Sequence, residues 1–141
     1  MKPKTLDQIK VLAVDDMEFV LNTVSQILTN MGFEASNIYK ARTGKEAIEL
    51  LRDKTDNGPF FDLILCDWKM PGLTGIQVLE KVRKSRHYST CPFVMITTDN
   101  ERAHVVQALK LHVNNYIIKP FNEESFRDKI YKTLSLNELD Q

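Results

Sequence analysis

The chain has 141 residues, with 19 Lys and Arg against 19 Asp and Glu, and is 43% hydrophobic and 27% charged. These values are those of one soluble globular domain and exclude collagen-like, disordered and strongly charged chains. A net charge of +0 removes the basic footprint of a dedicated nucleic-acid binder, and no apolar run approaches the roughly 18–20 residues that span a bilayer.

Short apolar runs alternate with helix-period segments along the whole chain. Ile9–Val14 reads as a first strand. Val20, Val24, Ile27, Leu28 and Met31 then form one helical stripe, closed by Gly32 where a left-handed cap falls. Ile38–Ala41 is a second, more polar strand. Thr43 and Glu46 have capping-box spacing ahead of Ala47, Ile48 and Leu51, and Asp53–Phe60, with its Asn57-Gly58-Pro59 turn, reads as a loop. Leu63–Cys66 is a third strand, followed by a box at Thr74 and Gln77 before Val78, Leu79 and Val82. Phe93–Ile96 is a fourth, followed by Thr98 and Glu101 in the same spacing before Val105, Val106 and Leu109. After Tyr116–Ile118, a fifth strand, Asn122 can cap a last helix with Phe126, Ile130 and Leu134 inward.

Five strand–helix units predict an α/β domain: a doubly wound, five-stranded parallel sheet with helices on both faces. The expected boundaries are an N-terminal extension over 1–8, the domain over 9–135 and a C-terminal tail over 136–141. The N-terminus lacks the apolar stretch of a signal peptide. Cys66 and Cys91 lack metal-ligand spacing and read as packed thiols of a reducing, cytoplasmic compartment.

In such a sheet the ligand site lies outside the carboxyl ends of the strands. Those ends carry Asp15-Asp16, Asp67, Thr97-Thr98 and Lys119-Pro120. Three carboxylates and one ammonium leave a local charge of −2, which one hard divalent cation cancels; Mg²⁺, held by carboxylates with phosphate and water, fits this set. An Asp carboxylate can serve as nucleophile and form an aspartyl phosphate. The Lys and the cation would stabilise the transferring oxygens, and the Thr hydroxyl would bond the new phosphate. No glycine-rich loop cradles ATP, so the phosphoryl group is expected from a small donor or another protein. The blander alternatives are helix capping by Asp15 and Asp16, a half-buried sheet aromatic at Tyr116 and a solvated Lys119. His87, His104 and His112 read as surface residues, and Trp68 as half exposed.

Val14-Asp15-Asp16, Cys66-Asp67-Trp68-Lys69-Met70-Pro71-Gly72, Ile96-Thr97 and Tyr116-Ile117-Ile118-Lys119-Pro120-Phe121 resemble the receiver domain of two-component response regulators, in its single-domain chemotaxis type. The match runs in order from about Lys10 to Leu134. The resemblance implies the flavodoxin-like (βα)5 fold with strand order 2-1-3-4-5. It also implies Asp67 as phosphoacceptor from a sensor histidine kinase and Mg²⁺ at Asp15, Asp16, Asp67 and the Lys69 backbone carbonyl. Lys119 would pair with Asp67 and then the phosphate, while Thr97 and Tyr116 switch. The output is expected at the face of helix four, strand five and helix five. Its partner would be a protein target of the flagellar-motor type, with a phosphatase as a further partner and neither nucleic acid nor membrane insertion. The chain would be a monomer or a weak phosphorylation-dependent dimer, a signalling phosphoacceptor that assists its own phosphorylation and autodephosphorylation rather than an enzyme. The competing readings are a receiver cut from a larger regulator, a phosphorelay intermediate and a Mg²⁺-dependent phosphohydrolase.

Two departures from the family follow. Leu111-His112-Val113-Asn114-Asn115 lacks the glycine usual after helix four, so a left-handed turn there falls on a residue with a side chain. Lys69 and Asp99, each two residues beyond a site residue, are expected to face one another and slow loss of the phosphoryl group; as an exposed pair their effect would be small.

Overall fold

The computed structural model describes residues 4–139, with side chains as far as Leu134. The strands are β1 (Val11–Val14), β2 (Ile38–Ala41), β3 (Leu63–Cys66), β4 (Phe93–Thr97) and β5 (Asn115–Ile118). Between and after them run α1 (Glu18–Met31), α2 (Gly44–Asn57), α3 (Gly75–Lys84), α4 (Arg102–Lys110) and α5 (Glu123–Leu139). All neighbouring strands pair in parallel, in the order β2-β1-β3-β4-β5. This is the fold and strand order expected.

The sheet divides two apolar cores, because successive strand residues point to opposite faces. Leu12, Val14, Ile64, Cys66, Phe93 and Met95 meet α2 and α3 through Ala47, Leu51, Val78, Leu79 and Val82. Val11, Leu63, Leu65, Val94, Ile96 and Ile117 meet α1 and α5 through Val24, Leu28, Phe126 and Ile130.

Most helix ends follow their local chemistry. Gly32 closes α1 at φ 116°. Thr43 Oγ1 accepts the Glu46 amide at the start of α2, Thr74 and Gln77 form a reciprocal box on α3, and Asn122 Oδ1 accepts the Ser125 amide on α5. Two expectations need correction. First, α2 runs on through most of the expected loop to Asn57, supported by an Asn57-to-Asp53 side-chain bond, and the chain then turns at a cis Gly58–Pro59 bond. Second, Thr98 does not cap α4. The N-cap position is Glu101, which makes no side-chain capping bond, and just ahead of the helix Asp99 Oδ1 accepts the Glu101 amide.

The ends of the chain add contacts. Lys4 pairs with Asp62 at 2.9 Å, and Leu6 packs against the α1–α5 core. Helix α5 continues through 136–139, where a tail was expected; residues 1–3 and 140–141 of the expected extension and tail lie outside the described residues.

Candidate functional site

The parallel register brings Val14, Cys66 and Met95 level, with Thr97 beside Ile118. The residues that follow therefore meet at one edge. Backbone bonds continue one residue past the strands: the Asp15 amide donates to Ala41, the Asp67 amide to Val14 and the Lys119 amide to Thr97. The loops thus begin from fixed positions. One carboxylate oxygen each of Asp15, Asp16 and Asp67 lies within 4.8 Å of the others. Lys119, just past β5, places Nζ 2.6 Å from Asp15 Oδ2 and 3.4 Å from Asp67 Oδ2. The second oxygen of Asp15 accepts the Met17 amide at 2.9 Å.

Asp15 and Asp67 are 3% and 7% exposed, so their charges sit largely out of water. Burial pushes the Asp67 carboxyl above its ordinary value; Asp15 adds to the rise, while Lys119, the Thr97 hydroxyl and the Trp68 amide oppose it. Three clustered carboxylates with one ammonium carry an excess of negative charge that a divalent cation relieves. An all-oxygen donor set is the kind that hard Mg²⁺ takes. The site therefore fits the ion that the sequence implied.

Helix α3 approaches this site through a glycine. The Gly75 amide donates to the Trp68 carbonyl at 2.8 Å, and a Cβ on Gly75 would stand 2.1 Å from the Asp67 carbonyl oxygen. Only a residue without a side chain permits that contact. Its position inside a capping box was legible in the sequence; its contact with the Asp67 backbone was not.

Thr97 is fully buried, and its Oγ1 accepts the Asp99 amide at 3.2 Å. Tyr116, half-buried on β5, donates its hydroxyl to the Asp99 carbonyl at 2.7 Å. Burial, with the negative charges of Asp99 and Asp67, pushes the Tyr116 phenol up to about 12, so it is a hydrogen-bond donor at neutral pH.

Three expectations about the mouth of the site are corrected. Asp99 does not face Lys69: its carboxylate is wholly buried and bonds His104 Nδ1 at 2.5 Å. Lys69 is exposed and makes no ion pair among the described residues. The first turn of α4 delivers His104 to Asp99 on a short, ring-constrained side chain, whereas a lysine would have to lose several free rotations to reach it. Trp68 is not half exposed but 6% exposed: it belongs to the core cluster on the α2–α3 side of the sheet, and the His104 ring stacks on it at 4.8 Å and 25°. His104, read as a surface residue, is thus part of the site's surroundings. No periodicity signals it, since a loop separates it from Asp99.

Comparison with known proteins agrees with this geometry. The profile of the response regulator receiver domain matches residues 11–131. A chemotaxis protein CheY homolog of Campylobacter jejuni is 34% identical over 125 residues, 89% of this chain and 92% of that protein. Chemotaxis protein CheY1 of Helicobacter pylori is 34% identical over 92% of this chain and 99% of its own. Among solved structures, a CheY-like receiver domain from Methanospirillum hungatei superposes with a TM-score of 0.80 at 31% identity, covering 94% of this chain and 98% of that one. Vibrio cholerae CheY4 gives 0.76 at 30% identity, with 89% and 98% covered. The chain belongs to the response regulator receiver domain family.

Proposed function

We propose that this protein is a phospho-accepting response regulator in which Asp67 receives a phosphoryl group from a sensor histidine kinase. The observation that carries this reading is the meeting of Asp15, Asp16 and Asp67 oxygens within 4.8 Å, with Lys119 reaching two of the three. In the transfer, an Asp67 carboxylate oxygen forms the new P–O bond while the P–N bond of the kinase phosphohistidine breaks. The bonding pair returns to the imidazole nitrogen, which takes a proton.

Asp15, Asp16, Asp67 and the Lys69 backbone carbonyl would hold Mg²⁺, which when bound supplies charge neutralisation to the phosphoryl oxygens. Lys119 orients against the same oxygens, the Thr97 hydroxyl turns to donate to the phosphoryl group, and Tyr116 follows inward. The receiver unit spans 9–135. The change is read out on the α4–β5–α5 face, where Val106, Leu109, Ile118 and Tyr131 are exposed. Relatives named chemotaxis proteins support a protein target of the flagellar-motor type, with a phosphatase as a second partner. The setting is cytoplasmic, and the state is monomeric or weakly dimeric on phosphorylation. Phosphorylation and autodephosphorylation both use the protein's own groups, so the activity is that of a switch rather than a turnover enzyme.

Incubation with acetyl phosphate and Mg²⁺, followed by intact mass, tests the reading. A gain of one phosphoryl group that is absent in Asp67→Asn is the expected result; full labelling of the Asn variant overturns the site.

A further inference from the structure

Asp99 is the most heavily tied residue beside the site. Its amide donates to Thr97 Oγ1 at 3.2 Å, and its carbonyl accepts the Tyr116 hydroxyl at 2.7 Å. Its Oδ1 accepts the Glu101 amide at 3.0 Å, and its Oδ2 bonds His104 Nδ1 at 2.5 Å. Both residues assigned to switching thus hold the backbone of Asp99, while α4 holds its side chain. That side chain has no exposed surface, and a carboxylate taken out of water stays there only while it is paired. The His104 ring, for its part, lies on Trp68, the neighbour of Asp67. The first turn of α4 is therefore tied both to the segment that carries Thr97 and to the segment that carries Asp67.

We propose that the Asp99–His104 bond is a latch, with His104 as its positioning residue, that holds the β4–α4 segment in its resting arrangement and makes α4 follow Thr97. Thr97 Oγ1 is now an acceptor for the Asp99 amide. Turning that hydroxyl toward a phosphoryl oxygen removes one of the four ties on Asp99, and the His104 bond carries the disturbance into α4. A contact that is strongest in the arrangement seen here also biases the protein toward it, so its loss makes the alternative arrangement easier to reach. The effect on phosphorylation rests on the phosphoacceptor reading; the resting-state latch does not.

Two substitutions separate the parts of the contact. His104→Phe keeps a ring for Trp68 and loses the bond to Asp99, whereas His104→Asn keeps an N–H near the Nδ1 position and loses the stack. Hydrogen exchange of the unphosphorylated, Mg²⁺-free proteins reads the latch directly. The expected result is about tenfold faster exchange over Asp99–Val105 in the Phe variant, the scale of one lost charge-assisted bond. The Asn variant should stay close to wild type, and β1 and β3 should be unchanged in both. Equal exchange in all three proteins overturns the latch, as does equal acceleration in both variants or acceleration spread over the whole sheet. With acetyl phosphate, the Phe variant should acquire its phosphoryl group several-fold faster than wild type and the Asn variant at the wild-type rate; equal rates in all three overturn the coupling. If wild type itself gains no phosphoryl group, the phosphoacceptor reading fails, and exchange still decides the latch.

Discussion

Lys119 is bonded to Asp15 more tightly than to Asp67: its Nζ stands 2.6 Å from Asp15 Oδ2 and 3.4 Å from Asp67 Oδ2. The ammonium therefore neutralises the most buried carboxylate of the cluster and leaves Asp67 less fully compensated, in keeping with the raised Asp67 carboxyl. In the resting protein Lys119 belongs to Asp15 first, and it is close enough to Asp67 to serve a group attached there.

Replacing Lys119 by Met should leave buried carboxylates without their one ammonium. Breaking such a pair costs about 3 kcal/mol or more, so Lys119→Met should lower unfolding stability by that amount in urea with a chelator present. Mg²⁺ at millimolar concentration should restore much of the loss, because it brings positive charge to the same oxygens and binds only the folded chain. An equal loss with and without Mg²⁺ would show that the lysine acts through packing.

The raised Asp67 carboxyl gives a pH signature. Below the ordinary carboxylate value of about 4 the group is protonated in both folded and unfolded chains and contributes no difference. As pH rises, the unfolded chain releases this proton first, so stability is lost through the folded-state value. Asp67→Asn should therefore unfold at a higher temperature than wild type at pH 7 without Mg²⁺, and the gap should close in acid. Thermal melts from pH 3 to 8 check this; a gap that is constant with pH would refute the assignment. Adding Mg²⁺ should raise the wild-type melting temperature more than that of the variant.

Gly75 offers a test of how α3 positions Asp67. A Cβ there meets the Asp67 carbonyl oxygen at 2.1 Å and the Trp68 Cα at 2.9 Å, both backbone, so no rotamer change relieves the clash. Gly75→Ala should destabilise the fold by about 3 kcal/mol, at the upper end of overpacking costs. It should also slow phosphorylation of Asp67 by displacing its loop. Denaturant unfolding and acetyl phosphate kinetics read the two effects, and a variant with wild-type stability would contradict the close approach.

The strands, their order and the residues at their ends were legible because each depends on short-range pattern: β-branched runs, caps and polar residues just past apolar ones. Features that depend on the folded chain were not. α2 absorbed the expected loop because the Asn57-to-Asp53 and Thr55-to-Leu51 bonds lie within the helix and outweigh a turn-like composition. The start of α4 moved because Asp99, rather than Thr98, reaches the Glu101 amide. Asp99 chose His104 over Lys69 because the geometry of a loop, invisible to periodicity, brings the histidine closer. Arg83 is one of three basic residues in the last turn of α3, and no motif in the sequence singles it out. In the fold its guanidinium donates to the carbonyls of Leu111, Ser89, Cys91 and His112 and to Asn114 Oδ1. These acceptors lie in two separate loops, and only the folded chain brings them together.

The turn after α4 is where the sequence departed from its family, and the backbone bears out the expected conformation. His112 has φ 61°, the one positive φ among described non-glycine residues. The Val113 amide reaches back to Ala108 and the His112 amide to Leu109, which is how a left-handed residue closes a helix. A side chain in this region costs roughly 1–2 kcal/mol, part of which glycine returns as greater freedom in the unfolded chain. His112→Gly should accordingly stabilise the protein by about 0.5–1 kcal/mol. The Arg83 bond to the residue 112 carbonyl is a backbone contact and should survive the change. Because His112 lies at the opposite end of α4 from Asp99, phosphorylation by acetyl phosphate should keep its wild-type rate. Urea unfolding measures the gain, and a loss of stability would mean that the imidazole contributes more than its backbone conformation costs.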